Sequence, residues 1–430
     1  MDRPVTFAIC GLGIRGMEAY ASFQKLHPEK MKITAGADPD AQRRTALQAE
    51  FGVPAEHCFV TGEELLLQPK LADVMIIATQ DRQHVAQALA ALDKGYHLVL
   101  EKPISPLLDE CLALKKKAHE TGRVVVVCHV LRYTEFYSTL FRLLREGAVG
   151  RIESLDAIEN IAYWHFAHSY VRGNWRRADE ASPMILAKSC HDMDIIRWLV
   201  GVPCESVSSY GSLDWFRAEN APAGSASRCL SGCACKEGCP YDAEKIYIMN
   251  EKSGIRSGNH EWPCSVLVNG PTEEKLYDAI RTGLYGRCVY HCDNDVADHQ
   301  VVSMRFEGGA TATFTVCAFT AKCYRSIKVM GTMGEIEGDM DANVLHVRRF
   351  GQPEETLDLG RIPDRFAGHG GGDARMMDYV CELIAAGGTQ GLTNVDASVE
   401  SHVMALAAEY SRTHSGEAVA LDGFTKGANG

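Results

Sequence analysis

Cys10-Gly11-Leu12-Gly13-Ile14-Arg15-Gly16 follows directly on the apolar run Val5-Thr6-Phe7-Ala8-Ile9. A strand thus runs into Gly-x-Gly-x-x-Gly, and a helix is expected to start inside the motif. Gly11 permits the tight turn, Gly13 a close backbone approach to a pyrophosphate, and Gly16 close packing of helix on strand. Free N–H groups and a partial positive charge at a helix start suit phosphates. A second run, Met31 to Ala37, ends at Asp38, 22 residues after Gly16. A carboxylate there can accept both hydroxyls of an adenosine ribose. Strand, glycines and acid together predict a dinucleotide site. Asp38 favours NAD, because it repels a 2′-phosphate; Arg15, Arg43 and Arg44 stand against that choice, the last two reading equally as a solvated helix face.

Outward from this loop, strand and helix alternate to about residue 128. Val74 to Ala78, His97 to Leu100 and Val124 to Val127 are continuous apolar runs, separated by helical stretches over Val85 to Lys94 and Pro106 to Glu120. Such runs predict a doubly wound parallel sheet covered on both faces. Ligands bind beyond the carboxyl ends of its strands. The loops from Gly11, Thr79, Glu101 and Cys128 therefore converge. This places Gly11, Gly13, Ile14, Arg15, Gly16, Asp38, Thr79, Gln80, His84, Glu101 and Lys102 at the cofactor.

After residue 129 the pattern changes. Met304-Arg305-Phe306, the turn Glu307-Gly308-Gly309 and alternating Thr311 to Val316 read as an antiparallel hairpin. Further strands are expected near Ile327 and Val344, and helices over Leu140 to Glu146, Met193 to Leu199, Met376 to Ile384 and Ala397 to His414. The expected division is a Rossmann domain over 1–128 and an α+β domain with a largely antiparallel open sheet over 129–430. About 218–295 fits neither period and reads as an insertion.

The 430 residues carry a net charge of −12, which argues against nucleic-acid and anionic-membrane partners. No apolar run approaches the about 18 residues of a membrane span, and no signal peptide is evident. Sixteen cysteines without an export signal should be thiols or metal ligands. The expected compartment is the cytoplasm.

Glu101-Lys102-Pro103 closes a buried strand at its ligand end. By position alone Lys102 reads equally as a substrate contact or a surface lysine. The glycine loop, Glu-Lys-Pro, and His191-x-x-Asp194 before Trp198-Leu199-Val200-Gly201 together resemble the Gfo/Idh/MocA oxidoreductases over essentially the whole chain. That resemblance implies NAD(P)-dependent oxidation or reduction of sugars, polyols or their derivatives, and an open sheet that often makes homo-oligomers, a dimer or tetramer. It implies that Lys102 contacts the reacting hydroxyl and that His191 accepts its proton, a task suited to imidazole near neutral pH. Many members carry Asp four residues before this His; here stands Ala187, then Lys188. Lys188 is expected to supply a second cation or donor, and Asp192 or Asp194 to orient His191.

Polar and aromatic groups crowd His129 to Tyr133 and Tyr163 to Trp175. Sugars need many hydrogen bonds and an aromatic face. Candidate substrate contacts are His129, Arg132, Tyr133, His165, His168, Arg172, Trp175 and Asp192. The second glycine-rich loop, Gly368 to Asp373, adds His369 and Asp373, unless it is only a helix start.

Cys229, Cys233, Cys235 and Cys239 fall within eleven residues, with Cys264, Cys288 and Cys292 downstream. The cluster suggests structural zinc, against free thiols or an iron–sulfur cluster. Cys229-x-x-x-Cys233-x-x-x-x-x-Cys239-Pro240-Tyr241 and Gly286-Arg287-Cys288-Val289-Tyr290 resemble a cysteine-rich subgroup of the family. That resemblance selects Cys229, Cys233, Cys239 and Cys288 as ligands.

The expected activity is hydride transfer between NAD and a hydroxyl-bearing carbon of a sugar, polyol or glycoside. Two alternatives stay open: an enzyme that retains NAD and cleaves glycosides by transient oxidation and elimination, and a non-catalytic sensor of NAD or sugar.

Overall fold

The computed structural model describes residues 3–360 and 368–427. Six short strands form the first sheet: β1 (Val5–Cys10), β2 (Met31–Ala37), β3 (Cys58–Phe59), β4 (Val74–Ile77), β5 (His97–Leu100) and β6 (Val125–Val127). Their order is β3-β2-β1-β4-β5-β6, all pairs parallel. The order reverses beside β1, so the crevice opens above the glycine loop.

The second sheet has nine strands: β7 (Ile152–Ile161), β8 (Cys204–Ser212), β9 (His299–Phe306), β10 (Thr311–Cys317), β11 (Cys323–Gly331), β12 (Gly334–Asp339), β13 (Val344–Arg349), β14 (Glu355–Asp358) and β15 (Val419–Ala420). They run β14-β13-β12-β11-β7-β10-β9-β8-β15. The hairpin expected around Glu307 is β9–β10, with Arg305 opposite Thr311. One pair breaks the antiparallel rule: β7 and β10 run parallel at the middle of the sheet.

Burial follows the period-two pattern of a one-sided sheet. Along β7, Leu155, Ala157, Glu159 and Ile161 face inward while Asp156 and Ile158 are exposed. The helices Glu135–Arg145, Cys190–Val200 and Val395–Thr413 lie against the inner side, and Phe136, Leu140, Ile196 and Met404 fill the core with strand residues.

One late helix belongs elsewhere. Gly372–Ala385 packs Met376, Met377, Val380 and Cys381 into the same cluster as Phe7, Ile9 and Ile33 of the first sheet. The C-terminal part of the chain therefore completes the N-terminal core.

The stretch between β8 and β9 contains helical turns and the helix Glu273–Thr282, and no strand among the described residues. No helix among the described residues is long and apolar enough to cross a membrane.

Candidate active site

Three glycines shape the first wall. Gly11 sits at φ +90°, and a Cβ there would lie 2.4 Å from Ala78 O. A Cβ on Gly16 would lie 2.0 Å from Gly11 O, so helix and strand touch there. Gly13 differs: a Cβ would meet only Arg43 Nη1, at 3.8 Å. Open space at the middle glycine is what a pyrophosphate needs. The helical segment Ile14–Ala21 starts immediately after it.

Asp38 ends β2, buried, with Leu12 N–H donating to Oδ2 at 2.8 Å and Asp40 N–H to Oδ1 at 2.9 Å. These bonds fix the carboxylate at the ribose end of the crevice. The residues present therefore fit a dinucleotide. Arg44 is tied to the carbonyls of Asp38 and Pro39. Arg43, half exposed and 3.4 Å from Asp38 Oδ2, remains within reach of the ribose.

Arg15 is engaged in a network of protein partners. It bonds Glu101 (2.6 Å), Asp373 (2.6 and 3.2 Å) and Tyr20 (2.5 Å). Tyr20 in turn donates to Glu101. This network joins the glycine-loop helix, the Glu-Lys-Pro turn and the start of Gly372–Ala385. Against the cost of burial, His369 and Arg15 hold Asp373 well below the usual carboxylate range. His84 is likewise a strut, its ring bridging the carbonyls of Thr79 (3.1 Å) and Pro103 (2.7 Å). Thr79 Oγ1 donates to Gln87, and Gln80 accepts from Asn174 across the crevice.

The second wall comes from the helix Cys190–Val200. His191 is buried, and neither ring nitrogen has a partner in the protein. Burial first, then Lys102, His369 and His129, pushes its imidazole well below the ordinary value. Buried ring nitrogens without a protein partner can meet a ligand or a water. His129 lies 5.8 Å away, ring to ring, also with both nitrogens unpartnered, and His369 lies 5.7 Å away. His369 Nδ1 pairs with Asp373 Oδ2 at 3.0 Å. Its backbone sits at φ +46°, a strained setting for a non-glycine residue. Lys102 reaches over from the first half and donates from Nζ to Ala187 O at 3.1 Å.

Next to His191 lies a buried ionic group that the sequence did not disclose. Glu159, on the inward parity of β7, pairs with Arg325 of β11 at 2.6 Å and with Lys188 at 3.2 Å. Arg325 also clasps Asp192 (2.8 and 3.2 Å). Burial pushes the Glu159 carboxyl up, opposed by Arg325 and Lys188. A charged residue at a core-facing strand position is the signal that could have exposed Glu159.

Several expectations are corrected. Neither Asp192 nor Asp194 orients His191: the first belongs to Arg325, and the second is held bidentately by Arg132 at 2.6 and 2.7 Å. Arg132 and Tyr133 are stitches, bonding Leu392 O and Thr393 Oγ1. His168 bonds Tyr247 and stacks on Tyr285, inside the insertion's packing. Arg172 is fully buried and donates to Arg287 O (2.8 Å), Tyr241 O (2.7 Å) and Cys229 Sγ (3.6 Å). Trp175 packs near Tyr170, ring centroids 6.3 Å apart. His165 of that segment lies near the ionic group; desolvation, then Lys188, His168 and Arg325, lowers its imidazole well below normal. It meets Trp262 edge-on at 4.8 Å, an aromatic that no motif singles out. His402, equally unforeseen, accepts Ile104 N–H at 2.8 Å beneath the Lys102 turn.

The zinc expectation also fails the fit. Among the described residues no three His, Cys, Asp or Glu side chains gather as a metal site, and all sixteen cysteines are free thiols. A bridge between Arg228 and Arg287 does bring the segments of Cys229 and Cys288 together. Cys229 Sγ, however, accepts from Ala243 N–H and Arg172, while Cys233 and Cys239 sit half-buried on either side of one turn.

The pattern of the oxidoreductase family's NAD-binding Rossmann fold matches residues 5–129, and that of its C-terminal alpha/beta domain matches residues 142–421. The chain belongs to the Gfo/Idh/MocA oxidoreductase family. Within it, the YteT protein of Bacillus subtilis (strain 168) is 26% identical over 395 residues, covering 86% of each chain. The 2,7-anhydro-N-acetylneuraminate hydratase of Escherichia coli (strain K12) is 25% identical over 208 residues, 48% of this chain and 52% of the relative. In fold, the chain is similar to levoglucosan dehydrogenase in complex with NADH and levoglucosan, with a TM-score of 0.70 at 17% identity, covering 97% of this chain and 100% of the other. The Gfo/Idh/MocA frame accounts for the two sheets.

Proposed function

We propose that this protein transfers a hydride between NAD and a hydroxyl-bearing carbon of a sugar, polyol or glycoside. The observation that carries the reading is His191: a buried, neutral imidazole with no protein partner, beside the Lys102 ammonium. When bound, the nicotinamide supplies the hydride acceptor. His191 takes the hydroxyl proton, and Lys102 stabilises the developing alkoxide. Asp38 holds the ribose, and the open face at Gly13 admits the pyrophosphate. Lys188, balanced by Glu159, keeps positive charge beside the substrate. His129, His165, His369 and Asp373 offer the polar edges that a polyhydroxylated ring requires.

One observation favours the redox-neutral alternative. His369, oriented by Asp373, is a second imidazole facing the first, and elimination from an oxidised sugar needs a base besides the one that takes the hydroxyl proton. The hydratase named above is similar to part of this chain. Turnover with free NAD separates the readings: NADH accumulates in bulk only in a dehydrogenase. A chain that binds NAD and sugar and converts neither would be the sensor.

Self-association through the open sheet is part of the proposal. Tyr210, Val301, Thr315 and Ile158 are register partners across β8, β9, β10 and β7. Three of the four are large, apolar and exposed.

A further inference from the structure

The stretch between β8 and β9 returns from the substrate side to the cofactor side. At one end Trp262 packs 5.4 Å from Trp164 and 4.8 Å from His165. The short helix Cys264–Leu267 follows, anchored by buried Cys264, whose thiol donates to the carbonyls of Tyr247 and Ser253. Asn269, seven residues after Trp262, then reaches the other half of the protein. Its Nδ2 donates to Asp40 Oδ2 at 3.2 Å and Gln42 Oε1 at 3.4 Å. Asp40 caps the helix Ala41–Phe51 and donates its own N–H to Asp38. Asn269 is therefore two links from the carboxylate that meets the ribose. Glu261, just before Trp262, stands close enough to Glu18 of Ile14–Ala21 to act on its charge. Those two helices flank the dinucleotide groove; the stretch is bonded at the start of the second and lies near the first.

We propose that residues 262–269 form a strap over the cofactor groove, fastened by Asn269 to Asp40 and Gln42, and that the strap slows escape of bound NAD(H). The proposal rests on the cofactor reading above. It gives the insertion a role of its own, as an outer wall to a groove whose inner wall is the glycine loop. It also bears on the chemistry: a strapped cofactor suits an enzyme that must return its hydride to the same molecule.

The test uses the full chain loaded with NADH. The complex is diluted into lactate dehydrogenase and pyruvate, which consume only free NADH, and nicotinamide fluorescence reports release. Asn269→Ala removes both bonds; Asn269→Asp sets a carboxylate against Asp40; Gln42→Ala loosens the same fastening from the opposite side. Release should quicken in the order wild type, Gln42→Ala, Asn269→Ala, Asn269→Asp, by about three- to thirtyfold at the far end, as expected for two exposed hydrogen bonds and a new repulsion. Equal release from all four proteins overturns the strap and leaves the cofactor reading standing. A wild type whose loading gives no change in nicotinamide fluorescence binds no NADH and overturns both.

Discussion

Lys102 Nζ donates to the main-chain oxygen of Ala187 at 3.1 Å. The bond crosses the crevice and ends four residues ahead of His191. Where many family members resemble one another in carrying Asp at this place, this chain positions its lysine with a carbonyl. A carbonyl holds the ammonium without neutralising it, so its charge stays available to an alkoxide. Lys102→Met should lower turnover by about a hundredfold or more with NAD affinity little changed. Steady-state kinetics beside NAD titration checks this, and a fall in NAD affinity alone would assign Lys102 to cofactor binding.

Asp38 should select NAD over NADP. Asp38→Ser removes the repulsion of a 2′-phosphate and frees Arg43, 3.4 Å away, to meet it. The NAD/NADP affinity ratio should fall at least about tenfold, one charge contact being worth that much. Titration of both cofactors decides it, and a wild type that prefers NADP contradicts the assignment.

Acid should destabilise the fold well before carboxylates titrate. Burial lowers His168 and His402 to about 3, against about 6.5 in the unfolded chain. Between these values the unfolded chain holds protons that the folded one lacks, so stability rises with pH there. It is fully present above about 6.5 and is lost as pH falls toward 3. Each histidine contributes a slope of up to about 1.4 kcal/mol per pH unit in that window. Denaturant melts between pH 7 and 4 should show it, and a flat profile would mean these rings are protonated when folded.

Arg172 organises the insertion. Its guanidinium spans Arg287 O and Tyr241 O and has no hydrogen-bond partner at Nη1. Arg172→Lys keeps the charge but cannot make both bonds from one planar group. It should cost about 2 kcal/mol or more, because buried carbonyls lose their donors. Thermal and denaturant unfolding measure this. Unchanged stability would show that the insertion is ordered by something else.

The parallel sheet was legible because β4 and β6 are continuous apolar runs and β5 nearly so, and the cofactor loop because three glycines stand at a spacing only a few backbones need. Lys102 and His191 became legible through the family likeness; helical position alone left both open. Glu159 and Arg325 stayed hidden because the strand pairing that joins β7 to β11 is not local in sequence. The same non-local packing took Arg132, Tyr133, His168 and Arg172 from substrate contacts to structural stitches. Polar residues clustered along a chain do not disclose which of them face the cavity. The helix Gly372–Ala385 was foreseen as a helix, yet its core was not, since an amphipathic face does not name the sheet it covers.

The most direct test follows a labelled hydride. The full chain with NAD is mixed with a panel of carbon-deuterated hexoses, inositols and methyl glycosides, quenched within one turnover, and the nicotinamide examined by mass spectrometry. Quenching captures cofactor whether it is released or retained. Deuterium should reach the nicotinamide from at least one member of the panel, and His191→Ala should slow that transfer by about a hundredfold or more. No label from any member, or label arriving at the wild-type rate in His191→Ala, would contradict the account.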